Sequence, residues 1–350
     1  MSDPLLDHIS PLERTEGATA DLAERVHAVE CAGDAYQTVL DDLTRRQAEH
    51  LGVSVDDWGL ADPPGGQLGE AVDDFWSGVD DPEGMLDEPH LLGWFHQHYG
   101  EPARAASHRA HNAEEAKHDS ASVTTQLYTP RWIADILAEG ALDAVDVDRP
   151  TVVDPAVGGG QMLLAAWDAI ARREPGATAA EIAGRLAGTD IDARAVEACR
   201  RALKFRAARQ SGERDPAAEA AIDRNIRPAD GLFDDLAGAD IALTNPPYMG
   251  SRSMPADLKG RVRERYEPFH ADLYAAFIRR CHELADGAVG VLAQQTIWYL
   301  KRYRKARADL LERGDLTRFV HLGPHAFDAL SGEKANVVAF VQRTGDRRPA

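Results

Sequence analysis

From about residue 124 onward, short apolar runs alternate with longer amphipathic stretches, and that alternation predicts strands separated by helices. The stretch "TVVDPAVGGGQMLLAAWDAIARR" reads as an apolar strand ending at Asp154, a glycine loop, and a helix from about Gln161. "RLAGTDIDARAVEACRRAL" repeats the plan, with Asp190 closing the strand. "IRPADGLF" and "ADIALTNPPY" predict two more strands, ending at Asp230 and Asn245. "GAVGVLAQQ", "TRFVHL" and "NVVAFVQR" are further strands, separated by helices at roughly 270–286 and 303–313. Such alternation implies an α/β fold with a mostly parallel sheet whose ligands lie at the carboxyl ends of the strands.

The first third of the chain has another rhythm. Residues 18–50 read as helix, with Leu22, Val26, Val29, Val39, Leu40 and Leu43 spaced to build an apolar stripe. Residues 52–90 are rich in Gly, Pro and Asp and predict loops or short helices, followed by the aromatic cluster "HLLGWFHQHYG". Residues 101–123 read as a helix leading into the α/β region. The expected organisation is an acidic, mainly helical region over 1–123, an α/β domain over 124–345 and a polar tail over 346–350.

No metal site is expected. His96 and His98 stand two apart and would face different sides of a helix, and Cys31, Cys199 and Cys281 are far apart with no CxxC pair. No apolar run approaches the ~18 residues that would cross a membrane, and the N-terminus has neither a basic nor an apolar leader segment, so a cytoplasmic location is expected.

Charge changes the picture once it is located. The net −19 is concentrated in residues 1–100, where 22 Asp and Glu face 4 Arg and no Lys, while residues 251–350 hold 18 Lys and Arg against 12 acids. Six lysines against 33 arginines give the acidic, lysine-poor surface of a protein working in concentrated salt, where repulsion is screened beyond about 3 Å at 1 M, so a halophilic source is expected. The basic last third carries "KGRVRERY" from Lys259 and "KRYRKAR" from Lys301, clusters suited to DNA phosphates or to a solvated helix face.

The predicted strand ends assemble the chemistry. A glycine loop lets backbone approach a ligand closely, and the carboxylate at Asp190 can accept hydrogen bonds from ribose hydroxyls. In "DPAVGGG" the carboxylate of Asp154 precedes the glycines, where it would repel a pyrophosphate but suit an ammonium group, such as that of S-adenosylmethionine. In "NPPY" the two prolines fix φ and remove donors, leaving the carbonyls around Asn245 and Pro246 as rigid acceptors. An amide oxygen and a carbonyl converging on one point would hold an exocyclic NH₂ by both hydrogens, and Tyr248 offers a stacking face for a base drawn from the duplex.

The order of "LYTPRW", "DPAVGGG", "GTDID", "PADGLF" and "TNPPY" resembles the N6-adenine DNA methyltransferases of the gamma arrangement. The segments "NPPYMGSRSM", "DLYAAFIRRCHELA", "QQTIWYLKRYRKARADLLE" and "HLGPHAFDALSGEKANVVAFVQR" resemble more narrowly the PglX adenine methyltransferases of BREX phage-exclusion systems, over roughly residues 90–345. The resemblance implies a Rossmann-like methyltransferase fold with seven strands, S-adenosylmethionine as cofactor and double-stranded DNA as partner. It implies that Thr129 and Pro130 border the methionine end of the cofactor, and that Asp154, Pro155, Gly158 and Gly160 form its loop. Asp190 would hold the ribose and Asp230 the adenine amino group. Asn245, Pro246, Pro247 and Tyr248 would grip the target adenine, and Phe327 would stack on its other face.

Two departures stand out. Val157 and Gly159 replace the Cys and Ser usual in that loop, and the long target-recognition region of the family is not expected within these 350 residues. A separate recognition polypeptide or other defence proteins are therefore expected as partners. The rival readings are a split fragment that binds cofactor or partners without turnover, a glutamine-amide protein methyltransferase, and an RNA amino-methyltransferase. The "YTPRW" segment and the "FDALSGEKANVVAFV" ending fit the glutamine-amide enzyme poorly.

Overall fold

A computed structural model of the chain describes residues 18–29, 35–96, 99, 129–323 and 336–344. The predicted strands join in one seven-stranded sheet: β1 (Val152–Asp154), β2 (Leu186–Asp190), β3 (Ile226–Pro228), β4 (Ala239–Thr244), β5 (Ala285–Gln294), β6 (Gly314–Gly323) and β7 (Val337–Thr344). Their order is β3-β2-β1-β4-β5-β7-β6. Strands β1 to β5 are parallel, and β7 runs antiparallel between β5 and β6. The chain builds outward from β1 to β3 and then crosses back to β4 on the other side of β1. That reversal opens a crevice above the carboxyl ends of β1 and β4.

Both faces of the central strands β1, β4, β5 and β7 are covered, which is why they read as continuous apolar runs, while the edge strand β6 alternates half-buried and exposed residues. Val152, Ile241, Leu243, Leu292 and Ala339 face one layer, against α1 (Arg131–Ala144), α2 (Gln161–Arg173), α3 (Ala179–Ala183), α4 (Ala193–Ser211) and α5 (Pro216–Asn225). Val153, Ala242, Val291 and Phe340 face the other, against α6 (Ala256–Tyr266), α7 (Leu273–Leu284) and α9 (Arg304–Arg313), while the short α8 (Thr296–Tyr299) follows β5. The helices expected near 270–286 and 303–313 are α7 and α9.

Two details differ from expectation. The strand of "IRPADGLF" stops at Pro228, its last bond to β2 running from Ala229 N to Asp190 O at 3.0 Å, and Asp230 lies two residues beyond it. Helix α5 was not anticipated, because its Ala-rich stretch has little apolar contrast. Its start is nevertheless written in the sequence: Asp215 accepts from the N–H groups of Ala217 and Ala218 at 3.0 Å, ahead of Pro216 at the first helical position.

The N-terminal residues form helices over 18–28, Ala35–Leu51, Gly66–Gly78, Pro82–Leu86 and 91–96. Leu22, Val26, Val39, Leu40 and Leu43 are buried as the stripe predicts, with Leu68, Val72 and Phe75 from the stretch expected to be loop or short helix. This apolar cluster includes Ala198 and Phe205, so it packs on the outer side of α4. A buried ion pair pins the two together: Arg201 reaches Asp41 at 2.6 Å and donates to Thr44 Oγ1 at 2.9 Å. Arg201→Ala would leave buried Asp41 without its cation, with Gln37 Nε2 and Ala61 N still donating to it, and should destabilise the chain by about 3 kcal/mol, read by thermal or denaturant unfolding. A change below ~1 kcal/mol would show that the pair does not hold this junction.

Residues 101–123, Cys31, His98, Phe327 and the 346–350 tail lie outside the described residues. No helix of the described residues is long and apolar enough to cross a membrane.

Candidate active site

The predicted polar residues gather at the carboxyl ends of the central strands. Asp154 closes β1 and is almost fully buried, with its Oδ1 accepting the N–H of Ala156 at 3.0 Å. Burial pushes its carboxyl up to about 7; the Ala156 N–H opposes this and the nearby Asp190 adds to it. Asp190 closes β2 and uses both oxygens, Oδ2 accepting from Gly158 N at 3.0 Å and Oδ1 from Asp192 N at 2.9 Å. Burial raises this carboxyl to about 6 against those backbone amides. The glycine loop is also tied to β2 by Val157 N donating to Thr189 O at 2.9 Å.

Close packing accounts for the composition of the loop. Gly158 and Gly160 have φ of +50° and +95°, which favour glycine. Val157, in the place of the family cysteine, is buried against Gly188. Gly159 lies against Gly93 of the N-terminal region, and a Cβ at 159 would come within 2.5 Å of the Gly93 Cα. A serine there would collide with residues 91–96. The departure from the family loop is thus the mark of a local contact. The same N-terminal segment supplies His96, whose Nδ1 pairs with Tyr36 OH at 2.9 Å and whose Nε2 lies 3.8 Å from Asp192 Oδ2, just beyond β2.

Asp230 sits on the turn after β3. Its Oδ1 accepts from Leu232 N at 3.1 Å, and Arg261 of α6 lies 3.7 Å from Oδ2 with its guanidinium 3.8 Å over the Phe233 ring. Bare backbone at Gly231 lets this turn rest on the carbonyl of Pro155. Ile191 is 69% exposed directly beside Asp190. Sequence reasoning missed Ile191, Phe233 and Arg261. The available signal was an apolar residue between two acids in "TDID" and an aromatic three residues after Asp230.

Asn245 follows β4 immediately. Its Nδ2 donates to the buried Thr129 Oγ1 at 2.9 Å, and its Oδ1 accepts from Tyr248 OH at 3.2 Å. The two contacts orient the amide, with the acceptor oxygen toward Tyr248. Pro130 begins α1, its carbonyl accepting from Ile133 and Ala134 at 3.0 and 3.2 Å. Pro246 is buried, and Pro247 and Tyr248 are half-buried. Burial holds the Tyr248 phenol well above the usual tyrosine range, with the charge of Asp272 adding to the effect. Its ring meets Tyr274 edge-on at 5.9 Å. The next residues are clipped to the start of α7 by Leu273 N to Met249 O at 2.8 Å and Ser251 N to Ala271 O at 3.1 Å.

The arrangement therefore juxtaposes two buried carboxylates, a narrow backbone loop and a fixed amide, with Asp230 at one side. Asp154, Asp190 and Asn245 are brought together as expected, and Thr129 touches Asn245 directly. The basic segments lie on the surface: Lys259, Arg263 and Arg265 are exposed on α6, and Lys301, Arg302, Arg304 and Lys305 are exposed after α8.

Comparison with known proteins finds similarity in sequence and in fold. A 103-residue stretch is 34% identical to the adenine-specific methyltransferase PglX of Lacticaseibacillus casei, covering 29% of this chain and 8% of that protein. The matched stretch is thus less than a tenth of that relative's length. A class I S-adenosylmethionine-dependent methyltransferase of Listeria monocytogenes has a similar fold, with a TM-score of 0.50 at 12% identity over 97% of this chain and 90% of that one. The DrdV structure, solved as a complex with DNA, matches with a TM-score of 0.58 at 10% identity over 98% of this chain and 42% of that one. Residues 185–327, from the start of β2 through the Asn245 segment and beyond β6, match the Eco57I restriction-modification methylase family, and the sheet that carries them has the class I methyltransferase fold.

Proposed function

We propose that the chain transfers a methyl group from S-adenosylmethionine to N6 of adenine in double-stranded DNA, in phage defence or restriction–modification. The observation that carries this reading is the fixed amide of Asn245 at the end of β4, beside the buried carboxylates that end β1 and β2. The site fits the cofactor by its own chemistry: deep carboxylates for a cation and for hydroxyls, a loop of bare backbone, and an exposed isoleucine at the edge.

When bound, S-adenosylmethionine supplies an electrophilic methyl group on a sulfonium. Asp154, with Pro155, Gly158 and Gly160, lines the ammonium end, and Thr129 and Pro130 border it. Asp190 accepts from the ribose hydroxyls. Asp230 would accept from the adenine amino group, with Ile191 and Phe233 as its apolar neighbours. The target amine is held by Asn245 Oδ1 and the Pro246 carbonyl, which accept its two hydrogens and aim the nitrogen lone pair across the crevice. Entry of the base replaces the Tyr248 OH contact now made to Asn245 Oδ1, and the freed ring stacks on it. The surplus proton leaves after transfer, so positioning carries most of the catalysis and no strong base is required.

The acidic first hundred residues would repel a duplex, whereas Lys259, Lys301 and their neighbouring arginines suit phosphates. A recognition polypeptide or another defence protein is proposed as the partner that adds base-edge readout. The test is mass spectrometry of digested DNA from a methylase-free host expressing the chain, alone and with such a partner. N6-methyladenine is expected, weak alone and strong with the partner. N4-methylcytosine or a methylated protein glutamine as the product would refute the reading.

A further inference from the structure

We propose that Tyr299 and Leu300 form an apolar wedge that enters the DNA stack beside the target adenine and fills the space the base leaves. The inference rests on the DNA methyltransferase reading and adds to it the device that opens the duplex. Tyr299 is 60% exposed and Leu300 42%. Single exposed apolar residues are ordinary on protein surfaces, but these two are contiguous and run directly into the exposed cations Lys301, Arg302, Arg304 and Lys305. An exposed apolar pair edged by cations matches a polyanion with an apolar interior, which is a base stack between phosphates.

Its place in the fold suits that role. Strand β5 lies parallel beside β4 with Val291 opposite Thr244, and runs three residues further to Gln294. The end of β5 thus lies roughly 10 Å beyond the level of Thr244, and the short α8 follows it at the same carboxyl edge of the sheet. Contacts connect it to the site: Thr296 Oγ1 meets Tyr274 OH at 2.7 Å, and Tyr274 packs on Tyr248.

The pair is also rigidly mounted. Ile297 is buried, and the Trp298 ring sits edge-on to Phe319 at 5.6 Å and Phe340 at 5.2 Å. Arg307 donates to the carbonyls of Ile297 and Leu300 at 2.8 and 2.7 Å. Ile297 and Trp298 are thus anchored, while Leu300 and Tyr299 stay exposed, the Tyr299 ring meeting His321 edge-on at 6.3 Å. A wedge must resist the cost of unstacking a base step without bending its own support.

The test compares two duplexes of equal length at low salt, one fully paired and one with an abasic position opposite 2-aminopurine. They are titrated by fluorescence against the whole chain, with S-adenosylmethionine present. Wild type should bind the abasic duplex about tenfold or more tightly, with 2-aminopurine brightening as it unstacks, since there the wedge enters an opened step. Tyr299→Ala with Leu300→Ala should bring that ratio close to one, with cofactor affinity and melting temperature unchanged. Lys301→Ala with Arg302→Ala should instead weaken both duplexes equally and reduce the salt dependence. Equal weakening by the Tyr299/Leu300 double variant, or a wild type with no preference, overturns the wedge; if that wild type still makes N6-methyladenine, the methyltransferase reading stands. A wild type that binds neither duplex overturns both.

Discussion

Asn245→Ala should reduce N6-methyladenine formation by roughly 10²–10³-fold or more while leaving affinity for S-adenosylmethionine nearly unchanged. The reason is geometric. In the proposed reading Asn245 faces the base, its amide held by Thr129 behind it and Tyr248 in front. Removing its amide deletes an acceptor for the target amine, yet Asp154 and Asp190 keep their backbone partners. Tyr248→Ala should act on a different step, weakening capture of the flipped base by about 1–3 kcal/mol through lost stacking. Calorimetry of cofactor binding and nucleoside mass spectrometry on the same preparations separate the two effects. A parallel collapse of cofactor affinity in Asn245→Ala would place that residue in the cofactor site and remove it from the base site.

The strands that carry these residues were legible because each is short, apolar and closed by a polar residue. A sheet covered on both faces leaves no other pattern for its strands, and the ligand crevice must lie at their carboxyl ends. Asp154, Asp190 and Asn245 could thus be brought together from local sequence alone. What local sequence could not show was what each group does to its neighbours. Asp190 is bound by the N–H groups of Gly158 and Asp192, so it clamps two loops as well as facing the crevice. That depends on loop conformation. Gly159 reads as a departure from a family pattern until Gly93 is found against it, and the two are separated by more than sixty residues in the chain. The Arg261 guanidinium over Phe233 likewise joins two elements, and nothing in "KGRVRERY" distinguishes that arginine from its neighbours. Long-range contacts of this kind carry no periodic signal.

The pH dependence of the site should run in opposite directions for stability and for cofactor binding. Asp154 holds its proton with a pKa of about 7 in the fold against 3.8 ordinarily, because burial disfavours its charged form. A raised folded-state pKa means that the folded chain binds the extra proton between those values. The stabilising contribution of this group is therefore complete below about pH 4 and is lost as pH rises through about 7. Asp190, raised to about 6, adds to the same trend over a lower window. A ligand with an ammonium group and ribose hydroxyls needs both carboxylates ionised. Affinity for S-adenosylmethionine should thus fall by about tenfold per pH unit just below pH 7, and more steeply below pH 6, where Asp190 also takes up its proton. Asp154→Asn, which cannot ionise, should bind the cofactor weakly at every pH, lose the upper step of the profile and gain stability at pH 8 relative to wild type. Calorimetric titration across pH 5–8, with melting curves of the ligand-free chain at the same values, decides the matter. A wild-type affinity flat through that range would show that neither carboxylate meets the cofactor.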